Sequence, residues 1–96
     1  MLLEELRSNY KDKIFAIAAK YHAENIRIFG SVVRGSAKED SDIDILVSFL
    51  PKASLLDEAG LERELNEVIG QHVDVIGDDV IREEFKQYIL NEAVTL

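Results

Sequence analysis

The chain of 96 residues contains no cysteine, no tryptophan and a single proline. The absence of cysteine excludes disulfide bonds, thiolate nucleophiles and cysteine-based zinc sites. The two histidines, His22 and His72, stand far apart in the sequence, so any metal site must rest mostly on oxygen ligands. Oxygen ligands favour magnesium or manganese.

Long apolar runs and basic clusters are also missing. No stretch approaches the roughly 20 apolar residues that span a bilayer, and Glu4, Glu5 and Arg7 interrupt any signal-peptide pattern at the N-terminus. We therefore expect a soluble, cytoplasmic protein without membrane contact. The net charge is −8, and direct nucleic-acid binding is not expected because phosphate contacts need clustered Lys and Arg. An acidic surface favours solubility or complementarity to a basic partner protein.

Apolar periodicity and turn residues divide the chain into alternating helices and strands. In chain order the sequence predicts a helix over Leu3–Tyr21, strands over Asn25–Phe29 and Asp42–Phe49, a helix from Ser54 to Gly70, a strand over His72–Ile76 and a last helix after Gly77–Asp79. This order predicts an α/β fold, a small mixed sheet flanked by helices, in one domain over residues 1–96. The order of strand pairing is not readable from the sequence.

The two later helices carry end signals and apolar stripes. Ser54 with Asp57 three residues on is close to a capping box, Gly70 is expected as the C-cap, and an acid of Gly77–Asp79 as the last N-cap. For Phe85 and Tyr88 the alternative to a core position is stacking on a nucleotide base. The residues expected to face the core are Leu55, Ala59, Leu65, Val68 and Ile69, then Ile81, Phe85, Tyr88, Ile89 and Ala93.

Three aspartates lie inside strand-forming segments, where aspartate is disfavoured. Asp42 and Asp44 alternate with apolar residues in the second strand, so both side chains leave the same face. Asp74 has the same kind of position in the third strand. These acids either lie on a solvated sheet face or form a cluster, in which case divalent cations would offset their mutual repulsion.

A Gly-Ser pair precedes the acids at a fixed distance. Gly30 and Ser31 follow the first strand and precede a short helical turn, and ten residues separate Ser31 from Asp42. Glycine lets the backbone approach a phosphate, while amides and a serine hydroxyl donate hydrogen bonds to it. Arg34 lies within the spacer and could bind a phosphate or pair with a nearby acid or carbonyl. The combination is much more specific than either part alone.

On these motifs the chain resembles the minimal nucleotidyltransferases of the DNA polymerase β-like superfamily. The resemblance covers nearly the whole chain, and its matching segments are Ile28–Gly35, Ser41–Ile45, Val73–Val75 and Ile89–Val94. It implies the polymerase β-like fold, with Gly30 and Ser31 holding the triphosphate of ATP. It also implies that Asp42 and Asp44 bind magnesium and that Asp74 completes the site near the attacking hydroxyl.

Nucleotidyl transfer needs a more acidic nucleophile and a neutralised leaving group, which two divalent ions can share. We expect Asp42 and Asp44 to bridge two magnesium ions, with Asp74 as a further ligand or as the acceptor of the hydroxyl proton. Arg34 is a secondary candidate for phosphate binding. His72 is interpreted as a strand-edge residue outside the metal site, because oxygen ligands dominate magnesium sites.

The acceptor is implied by the resemblance alone. Minimal nucleotidyltransferases are associated with antitoxins that transfer AMP to a tyrosine of a HEPN-domain RNase toxin, which makes such a toxin the expected partner. Two alternatives remain open. The chain could neutralise its partner by binding without catalysis, or it could modify a small molecule with the help of another subunit.

Overall fold

The chain folds into one four-stranded sheet with helices around it, and the computed structural model describes all 96 residues. The helices and strands are α1 (Leu3–Lys20), β1 (Ala23–Phe29), α2 (Ser31–Arg34), β2 (Ile43–Phe49), α3 (Leu55–Ile69), β3 (Val73–Gly77), α4 (Glu83–Glu92) and β4 (Val94–Thr95). The predicted α/β fold, a mixed sheet flanked by helices, is confirmed. None of the helices combines the length and apolar character that a bilayer crossing requires.

The strands lie in the order β3-β2-β1-β4. Strands β1 and β2 run antiparallel, whereas α3 crosses between β2 and β3 and makes that pair parallel. Strand β4 returns antiparallel to β1. It has no counterpart among the predicted strands, because its two residues are too few to show an alternating pattern.

A bulge shapes β1. Asn25 has a positive φ of 53°, and the register with β2 shifts between Glu24 and Arg27. As a result Ala23 and Ile26 are both buried although three positions separate them. The strand therefore begins two residues before the predicted Asn25, because the bulge interrupts the alternation on which the prediction depends.

Helices α1 and α3 cover one face of the sheet. They meet closely at Gly60, where a Cβ would stand 2.9 Å from Tyr21 Cζ, and the Tyr21 hydroxyl donates a hydrogen bond to Glu64. Each buried aliphatic side chain contributes about 1.5–3 kcal/mol to stability. The buried residues on this face are Leu6, Ile14, Ala18, Ala23, Ile26, Ile28, Val32, Ile43, Ile45, Val47, Leu61, Leu65, Ile69, Val73 and Leu96.

Helix α3 begins and ends as predicted. Ser54 and Asp57 form a reciprocal capping box, and Gly70 closes the helix at a φ of 75°. The predicted core stripe is correct only for Leu65 and Ile69, since Leu55 is 81% exposed. The predicted stripe residues Ala59 and Val68 are exposed as well. The inward face follows Leu61, Leu65 and Ile69 at intervals of four, and the three exposed residues fall outside it.

Helix α4 departs furthest from prediction. Its N-cap is Arg82, and no side chain caps the helix. The predicted acidic N-cap is therefore wrong. Of the acids expected there, Asp78 accepts a 2.8 Å hydrogen bond from Arg27 instead. No residue of α4 is buried. Phe85 is 53% and Tyr88 65% exposed, and the predicted core positions are wrong. The other predicted stripe residues, Ile81, Ile89 and Ala93, are only half-buried.

Candidate active site

The three strand aspartates share one face of the sheet, opposite the face that α1 and α3 cover. Asp44 and Asp74 are register partners in the parallel β2–β3 pair, so their side chains leave the same face. Asp42 lies immediately before β2, which begins one residue later than predicted. On the other face Ile43 and Ile45 are fully buried. Burying these two isoleucines fixes the register and thereby directs the acids outward.

Gly30 lies directly against one of these acids. The pairing of Phe29 with Asp44 brings the end of β1 beside the acid, and a Cβ at Gly30 would stand 3.1 Å from Asp44 Cγ and still closer to Oδ2. Gly30 also has φ 80° and ψ −154°, a conformation that is essentially reserved for glycine. Glycine is therefore required here both for space and for backbone geometry.

Helix α2 presents the remaining predicted phosphate-binding residues. Ser31 is its first residue and is half-buried, and Arg34 is its last. The Arg34 Nη1 atom donates to both carboxylate oxygens of Glu92, at 2.9 and 3.0 Å. Arg34 thus pairs with an acid in the free protein, which is the second of its two anticipated arrangements.

Burial and the neighbouring acids change the proton affinity of Asp44. Burial, followed by the charges of Asp74 and Asp42, raises the pKa of Asp44 above its ordinary value, and Arg34 opposes this rise. A carboxylate that is partly removed from water and surrounded by like charges favours a bound cation or a proton. The cluster therefore fits a divalent cation in the type of its donors and in the sign of its electrostatics.

His72 joins the acids, which the sequence interpretation did not anticipate. Its Nδ1 lies 3.1 Å from Asp42 and its Nε2 lies 3.6 Å from Asp74, and the hydrogen bond with Asp42 raises the pKa of His72. Ligand atoms of these three residues lie within 4.8 Å of one another. Asp44 is not one of these three residues, and its carboxylate lies against Gly30. His72 does lie at the edge strand β3, yet it adds a nitrogen donor to the oxygen set.

The cluster lies on open surface. None of the five surface cavities is lined by Asp42, Asp44 or Asp74. The side chains of Asp42 and Asp74 are 54% and 41% exposed. A macromolecular acceptor can therefore reach these acids without any enclosing wall.

Comparison with known proteins places the chain in a family. The model of the nucleotidyltransferase domain family matches residues 2–95. An inferred protein adenylyltransferase of Methanocaldococcus jannaschii is 49% identical over 84 residues, which is 88% of this chain and 90% of that protein. The protein adenylyltransferase MntA of Thermococcus cleftensis is 36% identical over 94 residues, 98% and 95% of the two chains. The chain belongs to the nucleotidyltransferase domain family and is an enzyme of the nucleotidyltransferase class.

Comparison with solved structures shows which subgroup of nucleotidyltransferases the chain resembles. An inferred minimal nucleotidyltransferase of known structure has a TM-score of 0.87 and 38% identity, over 100% of this chain and 97% of that one. The predicted resemblance to the minimal nucleotidyltransferases is thereby confirmed. A chain in the complex of the tri-AMPylated Shewanella oneidensis HEPN toxin with its MNT antitoxin gives a TM-score of 0.70 at 18% identity, over 93% and 70% of the two chains. That likeness shows the fold alone.

Proposed function

We propose that the chain transfers AMP from ATP to a tyrosine hydroxyl of a HEPN-domain RNase, which is its toxin partner. The observation that carries the proposal is the packing of the Asp44 carboxylate against Gly30, with Asp74 on the next strand. This arrangement puts phosphate-binding groups and cation-binding groups in one small patch. The relatives described above are named protein adenylyltransferases.

At the nucleotide end, Gly30, Ser31 and Arg34 hold the triphosphate. The Gly30 amide, the Ser31 hydroxyl and the Arg34 guanidinium all donate hydrogen bonds, and phosphate oxygens accept them. The Ser31 hydroxyl makes no hydrogen bond within the chain, so it can donate to a ligand without breaking an existing bond. A structure neighbour that carries the AMP-PNP analogue shares the fold.

Asp42, Asp44 and Asp74 would hold the magnesium ions, of which we propose two. Carboxylate oxygens are the ligands that magnesium prefers, and the like charges that raise the pKa of Asp44 favour a bound cation. When bound, magnesium neutralises charge on the triphosphate and makes the attacking hydroxyl more acidic.

At the acceptor end, the tyrosine oxygen attacks the α-phosphorus of ATP, and the bond to the departing oxygen breaks to release pyrophosphate. Asp74 accepts the hydroxyl proton, since it lies beside Asp44 on the open side of the site. The absence of a cavity around the acids suits an acceptor that is itself a folded protein. A partner surface would then supply the missing wall and exclude water from the reaction.

The test combines the purified chain with a candidate HEPN-domain RNase, ATP and magnesium. Mass spectrometry of both proteins should find one or more AMP units on a tyrosine of the partner. Replacing Asp42 and Asp44 together by alanine should lower transfer by about 100-fold or more. The double variant Asp12→Ala with Asp40→Ala removes the same charge from exposed positions and should transfer normally.

Neutralisation by binding alone predicts a different result. In that case the partner loses RNase activity while its mass stays unchanged, and the Asp42→Ala, Asp44→Ala variant neutralises as well as the wild type. Full transfer by that variant would reject the assigned acids. Transfer to a small molecule but never to the partner would reject the proposed acceptor.

A further inference from the structure

A fourth carboxylate reaches the phosphate-binding turn from the far end of the chain. Glu92 is the last residue of α4, and its Oε1 accepts a 2.5 Å hydrogen bond from the Gly30 amide. The same carboxylate receives both hydrogen bonds from Arg34 described above, and its side chain is only 14% exposed. Glu92 therefore occupies two of the three donors to which the proposed function assigns the triphosphate.

The chemistry of these contacts is that of a bound phosphate. The charged Nη1 group of Arg34, which donates to both oxygens of the Glu92 carboxylate, can donate to phosphate oxygens in the same way. A backbone amide at a glycine turn is likewise a common phosphate donor. No other carboxylate in the chain bonds to either group, although a Cβ at Gly30 would meet the Asp44 carboxylate. Glu92 thus carries a negative charge where the triphosphate is expected.

The surroundings of Glu92 allow it to leave. No residue of α4 is buried, so moving the helix or rotating the side chain breaks little apolar packing. The next residues are held more firmly, because β4 pairs with β1 and Leu96 is buried. Displacement of Glu92 can therefore occur while the end of the sheet stays in place.

We propose that Glu92 takes the place of the triphosphate in the free protein, where it accepts hydrogen bonds from the Gly30 amide and Arg34, and that the nucleotide displaces it on binding. This inference rests on the proposed function. Its consequence is that nucleotide affinity depends on α4, since any contact that draws Glu92 away removes the competitor. A ligand that must displace an internal anion binds well only to the fraction of chains in which the anion has left the site. Its apparent affinity is the intrinsic affinity multiplied by that fraction.

The test measures the dissociation constant of a non-hydrolysable ATP analogue with magnesium. Glu92→Gln keeps the size of the side chain but removes its charge, and it replaces one of the two oxygens that accept from Arg34 with an amide group that cannot accept. It should bind the analogue at least about fivefold more tightly than the wild type. Glu84→Gln removes one charge from an exposed position of the same helix and should leave the affinity unchanged.

Equal or weaker binding by Glu92→Gln would overturn the inference, because Glu92 would then be neutral toward the nucleotide or support it. If none of the three proteins binds the analogue, the proposed function fails together with the inference. Tighter binding by Glu92→Gln without AMP transfer to the partner would retain the inference and reject only the proposed acceptor.

A second measurement covers the case in which Glu92→Gln does not fold. In the wild-type protein, the carbon-13 resonance of the Glu92 side-chain carboxyl should shift when the analogue and magnesium are added, because its bonds to Gly30 and Arg34 are lost. The Glu84 carboxyl resonance serves as the control and should stay in place. An unmoved Glu92 resonance at saturating analogue would contradict displacement.

Discussion

The two faces of the sheet carry different kinds of residue, apolar on one and charged or polar on the other. On the face that α1 and α3 cover, Ile28, Ile43, Ile45 and Val47 are fully buried and belong to one apolar cluster. The opposite face carries Asp44 and Asp74 side by side, together with a network in which Asp78 accepts hydrogen bonds from Ser48 and Arg27. The first face stabilises the fold, and the second places like charges together at a cost to the fold. Truncating a buried side chain on the first face should therefore lower the stability of the fold, whereas removing the charge of Asp44 on the second face should raise it slightly.

The largest effect on stability is expected on the covered face. Ile45→Ala removes a fully buried side chain and leaves a cavity, which should lower the free energy of unfolding by about 2–5 kcal/mol. Denaturant unfolding measures this change. Leu56→Ala is the matched control, since Leu56 is 83% exposed, and its effect should stay within about 0.5 kcal/mol. Similar losses in the two variants would contradict the assignment of the core face.

A glycine on the acid-bearing face should be nearly as intolerant of change. Gly30→Ala forces a side chain into a glycine-only conformation and against Asp44, which should cost about 1–3 kcal/mol and abolish AMP transfer. Gly35→Ala also has a positive φ but meets no atom within 4 Å. It should lose part of the stability while it keeps transfer. Normal transfer by Gly30→Ala would show that Asp44 can move without consequence.

A smaller effect is expected where α3 begins. Ser54→Ala removes half of the capping box and should lower the free energy of unfolding by about 1 kcal/mol. Ser36→Ala, at an exposed serine outside the helices and strands, should change it by less. The stabilisation by the cap also depends on pH. The hydrogen bond from the Ser54 backbone, and to a smaller extent the one with His22, lowers the pKa of Asp57. Its contribution is present above the ordinary value of 3.8 and is lost as the pH falls through the lower folded-state pKa.

The smallest expected effect on stability is an increase, whereas the three substitutions above lower it. Burial and the neighbouring acids raise the pKa of Asp44, so its ionised form destabilises the fold once the pH exceeds its ordinary value of 3.8, fully so above the raised folded-state pKa. Asp44→Asn should therefore raise the melting temperature of the metal-free protein at pH 7, although only slightly because water screens a half-exposed group. Asp40→Asn controls for the loss of one charge from an exposed site. A lower melting temperature for Asp44→Asn would mean that its carboxylate makes stabilising bonds.

Local signals could be read from the sequence, whereas contacts between distant segments could not. The first helix, the capping box at Ser54 and the outward direction of Asp42 and Asp44 all follow from spacings of two to four residues. Glu92 lies 62 positions from Gly30, and no periodicity indicates that they meet. The matching segment Ile89–Val94 contained Glu92 without revealing its role.

Exposure was the other quantity that the sequence could not supply. The stripe with Phe85 and Tyr88 was interpreted correctly as one apolar side of a helix but wrongly as part of the core, because a pattern does not say whether another element covers that side. His72 was likewise placed at a strand edge without its contacts to Asp42 and Asp74. In both cases the missing information was the position of a neighbouring element.

The close approach of α1 and α3 at Gly60 makes Tyr21 an intrinsic spectroscopic probe of their packing. The chain has no tryptophan, so its near-ultraviolet circular dichroism comes mostly from three tyrosines. The Tyr21 ring is fixed between Gly60 and its hydrogen bond to Glu64, whereas Tyr88 is 65% exposed on α4. Loss of this signal while helical signal persists would record the separation of α1 from α3, in unlabelled protein and without any engineered probe.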